Sequence, residues 1–173
     1  MPVGHTAITP HKVNFMHRVK PKTVLDLGIG YGMTGAILRN YFGENKETGA
    51  IWPLSAGGGL RITGVEIFPA YRNPIWDLYD EVFIGRIEDY LHLCGTVDAV
   101  ICNDVFEHMP KQTGIEILKN SRAAFVGVCQ IMGQGSVYGN AAEAHITGWT
   151  QAELSQFCKT LVLEPGYLVG TKG

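Results

Sequence analysis

Residues 24–35 read VLDLGIGYGMTG, and this stretch decides the fold of the chain. It starts as a short apolar strand with an acid, Asp26, and glycines follow at every second position: Gly28, Gly30 and Gly32. Glycine permits positive φ angles and leaves no Cβ between the backbone and a ligand. From Met33 onward the apolar residues take helical spacing. The stretch therefore predicts a strand, a tight turn that a ligand can approach, and a helix.

Strands and helices alternate along the rest of the chain. The predicted strands cover residues 23–27, 61–65 with Glu66 at the end, 81–84, 98–103 and 123–128. The predicted helices cover residues 33–42, 71–78, 87–93, 111–120 and 150–158, the last beginning with a capping box of Thr150 and Glu153. Such alternation predicts an α/β domain built from right-handed βαβ units around a doubly wound, mostly parallel sheet.

The C-terminal part of the sequence does not continue the alternation of strands and helices. Residues 161–163 and 167–169 flank a Pro-Gly turn signal, which predicts an antiparallel hairpin at one edge of the sheet. With this hairpin the predicted sheet is seven-stranded and Rossmann-like. The fold class predicted from the sequence is thus α/β, with a C-terminal antiparallel hairpin.

The composition fits one globular domain over residues 1–173. Hydrophobic residues make up 46% and charged residues 17%, which excludes an intrinsically disordered chain. A chain of this length buries roughly two-thirds of its unfolded surface without disulfides or metal. Lys and Arg number 14 against 16 Asp and Glu, for a net charge of −2. This balance does not support a protein that holds nucleic acid by neutralising its backbone.

Cysteines and hydropathy indicate the compartment. The four cysteines have no C-x-x-C pair and no zinc-type spacing, so we expect reduced, buried thiols: Cys94, Cys102, Cys129 and Cys158. The N-terminus lacks the apolar stretch of a signal peptide, and nothing approaches the roughly 20 apolar residues of a membrane span. We expect a cytoplasmic protein without a membrane partner.

Three segments are candidates for a lid over the glycine turn. They are the N-terminal segment 1–22, the glycine-rich loop 43–60 with Trp52, and residues 132–148. The loop 43–60 is too rich in glycine for a helix and longer than most connections. Two interpretations of this loop remain open: a mobile lid over the site, or a surface loop with no role in binding.

The glycine spacing decides between two classes of ligand. A dinucleotide fingerprint G-x-G-x-x-G that begins at Gly28 requires glycine at position 33, which is Met33. The observed pattern, Asp26-x-Gly28-x-Gly30-x-Gly32, instead resembles motif I of the class I S-adenosylmethionine-dependent methyltransferases. The resemblance continues in order through Glu66, the segment Ile87-Glu88-Asp89, and the stretch VDAVICNDVFEHMP at 97–110. It is closest to small bacterial and phage-type relatives of the methyltransferase type 11 group.

The resemblance implies a set of cofactor-binding residues: Asp26, Gly28, Gly30, Gly32, Glu66, Ile67, Ile87, Glu88, Asn103 and Asp104. The first four cradle the methionine and ribose portion of S-adenosylmethionine. A carboxylate such as Glu66 can accept both ribose hydroxyls, and Ile67 and Ile87 provide apolar walls for adenine beside Glu88. Asn103 and Asp104 border the reactive end.

The implied activity is methyl transfer to an unidentified acceptor by in-line displacement, in which alignment supplies most of the rate effect. A general base is optional, and the candidates are Asp104, His108 and His145, each of which can instead be a packing or capping residue. Two alternatives remain open. One is a protein of this fold that binds the cofactor without catalysis, and the other is an enzyme that uses the cofactor for another reaction.

A metal-dependent variant is also open. Asp104-x-x-Glu107-His108, with a distant His145, resembles the metal-binding arrangement of small-RNA 3′-end 2′-O-methyltransferases. A Glu-His pair at this place also occurs in methyltransferases without a metal, so we assign no metal ligand.

Aromatic and histidine residues give weaker signals. Five aromatic residues can line an acceptor pocket, although core packing is the commoner role: Trp52, Tyr71, Trp76, Tyr138 and Trp149. Three N-terminal histidines recur every six residues, which fits neither one helical face nor a metal clip: His5, His11 and His17. We assign these histidines no role.

Overall fold

The computed structural model describes residues 6–43, 59–137 and 139–173. The strands are β1 Thr23–Leu27, β2 Arg61–Glu66, β3 Glu81–Ile84, β4 Ala99–Asn103, β5 Ala124–Cys129, β6 Thr160–Glu164 and β7 Tyr167–Lys172. The α-helices are α1 Thr9–Val19, α2 Met33–Phe42, α3 Lys111–Asn120 and α4 Gln151–Leu154.

All seven strands form one sheet in the order β3-β2-β1-β4-β5-β7-β6. Strands β1 to β5 pair in parallel, and β7 runs antiparallel between β5 and β6. The α/β class, the seven strands and the terminal hairpin predicted from the sequence are confirmed. The strand order reverses between β1 and β4, and in doubly wound folds ligands bind at that switch point, outside the carboxyl ends of the strands.

Both faces of the sheet are covered, as parallel strands require. Val24 belongs to a buried cluster with Phe15 of α1 and Leu38 of α2. Its neighbour Leu25 belongs to a second cluster, which contains Ile117 of α3. Because successive side chains of a strand point to opposite faces, β1 contributes to both cores.

The N-terminal segment is more ordered than its sequence suggests. No helix is predicted in residues 1–22, yet α1 spans eleven of them. Its buried face includes Lys12, Phe15 and Met16, and the Phe15 ring lies 6.0 Å from the Phe125 ring of β5. The spacing of these residues is helical, and that spacing is the signal that the sequence offered.

Two segments predicted as helices form 3₁₀ structure instead of α-helix. Residues 71–78 do not form an α-helix. They contribute to two 3₁₀ turns, Pro69–Tyr71 and Pro74–Leu78. Pro74 disfavours helical backbone at Asn73, whose side chain instead accepts a hydrogen bond from Ile75 N and starts the second turn. Residues 87–93 lie within a 3₁₀ stretch, Ile87–Gly95.

Several further local features predicted from the sequence are present in the structure. The Thr150–Glu153 capping box is confirmed, although α4 ends at Leu154. The four cysteines are free and buried, as predicted. Within the described ranges, no helix has the length and apolar character needed to cross a membrane. His5, Tyr138 and residues 44–58, with Trp52, lie outside the described residues.

Candidate functional site

A cavity lies at the carboxyl edge of the sheet, where β1, β2 and β4 end. Eight predicted site residues line it: Gly28, Gly30, Glu66, Ile67, Ile87, Glu88, Asn103 and Asp104. They come from four separate segments of the chain, and the parallel sheet brings the segments together. Further lining side chains, which the sequence analysis did not assign to cofactor binding, include Thr34, Tyr71, Arg86, His108 and Glu143.

The turn after β1 has the backbone that its glycines allow. Gly28 has a φ of 72°, and Gly30 has a φ of 52°. A Cβ added at Gly28 would lie 2.6 Å from Cγ2 of Val105, in the loop after β4. The turn after β1 and the loop after β4 are therefore in close contact, and a side chain at Gly28 would force them apart.

Glu66 connects β2 to this turn. Its Oε2 accepts a hydrogen bond from Gly30 N at 2.8 Å, and its Oε1 accepts one from Phe68 N at 2.9 Å. Burial raises the pKa of Glu66, whereas these backbone hydrogen bonds lower it. Each carboxylate oxygen can accept a second hydrogen bond, so Glu66 can still bind a pair of donors from the cavity.

Two predicted site residues, Asp26 and Gly32, are not among the residues that line the cavity. Asp26 is 1% exposed and accepts a hydrogen bond from the Tyr79 hydroxyl at 2.6 Å. Burial raises the pKa of Asp26 to about 6. Gly32, with a φ of 86°, directly precedes α2 as its N-cap, and a Cβ there would lie 3.2 Å from Cδ1 of Trp76. In the structure these two residues lie next to Tyr79 and Trp76, outside the cavity lining.

The loop after β4 holds an unusual backbone conformation. Asp104 has a φ of 56°, which is uncommon outside glycine and is tolerated best by Asn and Asp. Its backbone N donates to Gly127 O at 2.9 Å, and its Oδ2 accepts from Asn103 Nδ2 at 3.0 Å. Within the part of the chain that the structure describes, the buried Oδ1 of Asn103 has no hydrogen-bond partner. Buried polar atoms are usually paired, so this oxygen is a candidate contact for a ligand.

A further part of the cavity lining comes from the segment 132–148, which supplies Asn140, Ala142 and Glu143. We call these three residues the loop wall. The Tyr71 hydroxyl donates to Oε1 of Glu143 at 2.8 Å and accepts from Nδ2 of Asn140 at 3.4 Å. Burial raises the pKa of Tyr71 to about 12, so its hydroxyl keeps its proton at neutral pH.

His108 lines the cavity, whereas His145 is not among the residues that line it. Nδ1 of His108 is 3.2 Å from Ala144 O, and a carbonyl oxygen only accepts, so Nδ1 carries a proton. Burial lowers the pKa of His108, which favours the neutral ring with an unprotonated Nε2. The His145 ring lies 4.7 Å from the His108 ring in an edge-on arrangement.

Glu107 anchors the segment that forms the loop wall. Its backbone O accepts from Ile146 N at 2.8 Å and from Thr147 N at 3.1 Å. Its carboxyl is 0% exposed, Oε1 accepts from Cys129 N at 3.0 Å, and burial with the nearby charge of Asp104 raises its pKa to about 8. The carboxyl is therefore mostly protonated at neutral pH.

Glu107 is also part of a group that could bind a metal ion. Ligand atoms of Glu107, Cys129 and His145 lie within 4.8 Å of one another. This group shares Glu107 and His145 with the pattern noted in the sequence, but its third member is a thiol from the end of β5. Neither Asp104 nor His108 belongs to it.

The other aromatic and histidine candidates have structural contacts. Trp76 and Trp149 are each 3% exposed, and their indole N–H groups donate to Gly30 O and Phe106 O. His11 pairs with Glu164 at 2.7 Å, and the His17 ring lies against Phe42. Only Tyr71, among the described aromatic candidates, lines the cavity.

Known proteins resemble this chain in structure but not in sequence. No family model and no curated protein matches it. The PH0226 protein from Pyrococcus horikoshii OT3 is 15% identical with a TM-score of 0.62, and the match covers 96% of this chain and 88% of that one. The methyltransferase domain of bacterial CtHen1 is 15% identical with a TM-score of 0.53, over 94% of this chain and 95% of that domain.

A third relative was solved with a ligand. CalO1, a methyltransferase of calicheamicin biosynthesis in an SAH-bound form, is 15% identical with a TM-score of 0.53. The match covers 96% of this chain, which spans only 54% of CalO1. At these identities the likeness concerns the fold, and it agrees with the strand order and the glycine turn described above. The chain therefore has the fold of the class I methyltransferases.

Proposed function

We propose that this protein binds S-adenosylmethionine and transfers its methyl group to an acceptor that enters beside the loop wall. One observation carries the proposal: eight residues that the family resemblance assigns to the cofactor line a single cavity. Four separate chain segments contribute these residues. Glycines and acids that occurred by chance in another α/β domain would not be expected to meet at one cavity.

The chemistry of the lining fits the parts of this cofactor. Glu66 offers carboxylate oxygens for two ribose hydroxyls, and Ile67 and Ile87 provide apolar walls for a flat base. Carboxylates outnumber cations in the lining, with Glu66, Glu88, Asp104 and Glu143 against Arg86. An excess of acids favours a ligand that carries a positive charge, as a sulfonium does.

The residues at the reactive end would mainly align the acceptor. S-adenosylmethionine would supply a methyl group on a positively charged sulfur: an acceptor atom would form a bond to the methyl carbon as the carbon–sulfur bond breaks, and S-adenosylhomocysteine (SAH) would leave. Because the donor is already activated, positioning contributes most of the rate. His108 is the favoured base for a hydroxyl or amine acceptor, since its Nε2 is free of a proton while Nδ1 is bonded to Ala144 O.

Calorimetric titration with S-adenosylmethionine, SAH and NAD tests the cofactor assignment. We expect binding of the first two and none of NAD. The Glu66→Ala variant should lose about 30-fold or more in SAH affinity, because hydrogen bonds to a charged group contribute about 1.5–3 kcal/mol. The matched control is Glu81→Ala, at an exposed acid at the start of β3, which should bind as the natural protein does.

Product analysis separates the remaining alternatives. Incubation with methyl-labelled S-adenosylmethionine and a panel of hydroxyl, amine and carboxyl acceptors should release SAH with at least one acceptor class. Tight binding with no SAH release would favour a non-catalytic binding protein. Release of a different product would favour another reaction, and binding of NAD alone would overturn the assignment.

A further inference from the structure

Glu107 has a buried carboxylate oxygen without a hydrogen-bond partner. Its side chain is 0% exposed, and Oε1 accepts from Cys129 N at 3.0 Å. Oε2 has no partner within residues 6–43, 59–137 and 139–173. Buried polar atoms are nearly always paired, and an exception calls for an explanation such as a bound ion. The side chains around this carboxylate indicate which ion fits.

A thiol and an imidazole lie beside the carboxylate. Ligand atoms of Glu107, Cys129 and His145 lie within 4.8 Å of one another. In a tetrahedral zinc site with bonds of about 2.0–2.3 Å, the ligand atoms lie about 3.3–3.8 Å apart. Each pair of ligand atoms would therefore have to approach by at most about 1.5 Å, which side-chain rotations can supply.

The His145 ring has a tautomer that suits metal binding. Its Nδ1 lies 2.5 Å from Ile131 O, and a carbonyl oxygen only accepts, so Nδ1 carries the proton and Nε2 keeps its lone pair. Metal-binding histidines usually donate the other ring N–H in this way. The backbone around the ring is also held, because His145 N donates to Gln134 O at 3.0 Å and Ile146 N donates to Glu107 O at 2.8 Å. The imidazole is thus oriented by the fold itself.

The three ligand types select one class of metal ion. Mg²⁺ and Ca²⁺ prefer oxygen ligands, whereas a thiolate and an imidazole suit Zn²⁺. We propose that Glu107, Cys129 and His145 bind one Zn²⁺ ion, with a water molecule as its fourth ligand. His145 is only partly buried, so solvent can supply that water. The ligands bind in their deprotonated forms, so the protons of the thiol and the carboxyl pass to solvent.

The ion would connect three parts of the chain. Glu107 follows β4, Cys129 ends β5, and His145 belongs to the segment 132–148, which carries the loop wall. These three residues are not among those that line the cavity, whereas Asp104 and His108 are. The zinc site therefore lies outside the proposed cofactor site. Its role is to hold the segment 132–148 against the sheet, and it does not depend on the proposed function.

Co²⁺ is the probe for this site, because a thiolate bound to Co²⁺ gives a charge-transfer absorption band that oxygen and nitrogen ligands do not give. The natural protein, freed of metal with a chelator, should show this band with an equimolar amount of Co²⁺, and Zn²⁺ should abolish it. Cys129→Ser should show no band. The matched control is Cys158→Ser, at another free and buried cysteine, which should behave as the natural protein does.

Two further variants test the other ligands. His145→Gln should weaken Zn²⁺ binding, measured by competition with Co²⁺, by about 100-fold or more, since even residues that only orient a metal ligand contribute about 10-fold to 100-fold. Glu107→Gln should weaken it by about 10-fold or more. His92→Gln, at an exposed histidine, is the control and should change nothing. Thermal unfolding of each variant identifies any loss of folded protein, and His145→Gln provides the test if Cys129→Ser does not fold.

The natural protein should also gain thermal stability with Zn²⁺, and His145→Gln should not, because binding to the folded state alone stabilises it. Absence of the band in the natural protein, or the same band in Cys129→Ser, would overturn the proposal. A band that needs Cys129 but is indifferent to His145→Gln and Glu107→Gln would show a lone thiol that binds Co²⁺, and it would overturn the proposal too. No measurement here involves SAH, so a failure of the proposed function is recognised separately.

Discussion

Two parts of the cavity lining are held in place by different kinds of structure. One part, the sheet wall, consists of residues at or directly after the carboxyl ends of β1, β2 and β4, such as Gly28, Glu66 and Asn103. The other is the loop wall, Asn140, Ala142 and Glu143, which belongs to a connection without long helices or strands. The parallel sheet fixes the first, and individual long-range hydrogen bonds fix the second. We therefore expect the cofactor to bind mainly to the sheet wall, and the acceptor to be selected at the loop wall.

A pair of glycines gives the sharpest test of this difference. Gly28 in the sheet wall and Gly139 beside the loop wall have nearly equal φ angles, 72° and 73°. A Cβ at Gly28 meets Val105, whereas a Cβ at Gly139 meets nothing within 4 Å. Gly28→Ala should therefore destabilise the fold by about 1–3 kcal/mol and weaken SAH binding by about 10-fold or more.

Gly139→Ala is the matched control for backbone strain. It should cost about 1 kcal/mol of stability and leave SAH affinity within about 3-fold. Urea unfolding and calorimetry on both variants provide the two readouts. If Gly139→Ala impaired SAH binding as strongly as Gly28→Ala, the loop wall would be as important for the cofactor as the sheet wall.

The same difference explains what could be predicted from the sequence. Each residue of the sheet wall lies at or directly after the end of a predicted strand, and the carboxyl ends of parallel strands meet at one edge, so local patterns were enough to group them. The loop wall depends on pairs such as Tyr71 with Glu143 and Glu107 O with Ile146 N. The partners of each pair are far apart in the sequence and follow no fixed spacing. The sequence pattern therefore does not predict these hydrogen bonds.

The burial of Lys12 on α1 could not be predicted from the sequence for a related reason. The apolar spacing of Phe15 and Met16 was available in the sequence, but a lysine on the buried face of a helix argues against that face being a core. Its acceptor, Thr34, is 22 positions away. The helix predicted over residues 71–78 is wrong because each 3₁₀ turn after β2 begins with a proline, Pro69 or Pro74.

Glu107 bonds both to β5 and to the segment that carries the loop wall, and its titration should be visible in the pH dependence of stability. Its pKa is raised from 4.5 to about 8 in the folded protein. The stabilisation by the neutral carboxyl is complete below about pH 4.5 and is lost as the pH rises towards 8, because the unfolded chain releases its proton first. The slope from this group is at most about 1.4 kcal/mol per pH unit.

The Glu107→Gln variant removes this titration while keeping an acceptor for Cys129 N. Its free energy of unfolding should depend less steeply on pH in that window than that of the natural protein, as measured by urea unfolding at several pH values. Asp26, with a pKa of about 6, titrates in both proteins and cancels in the comparison. Parallel pH profiles would mean that Glu107 is ionised in the folded state.

The smallest effect is expected from the link between the loop wall and the rest of the protein. Tyr71→Phe keeps the ring that lines the cavity and removes the hydroxyl that donates to Glu143 at 2.8 Å. We expect a loss of about 1 kcal/mol in the free energy of unfolding, which is typical of one hydrogen bond, and SAH affinity within about 3-fold. Tyr41→Phe is the control, since Tyr41 is 58% exposed and should show neither change.

A large loss of SAH affinity in Tyr71→Phe would contradict the division between the walls, because the only group removed is one that holds Glu143 and Asn140. A loss of stability alone would support it. The loop wall would then be a part of the cavity that can change its contacts while the sheet wall keeps the cofactor bound. Because specificity for an acceptor requires contacts that differ from one protein to another, substitutions in this segment are where a change of acceptor should first be sought.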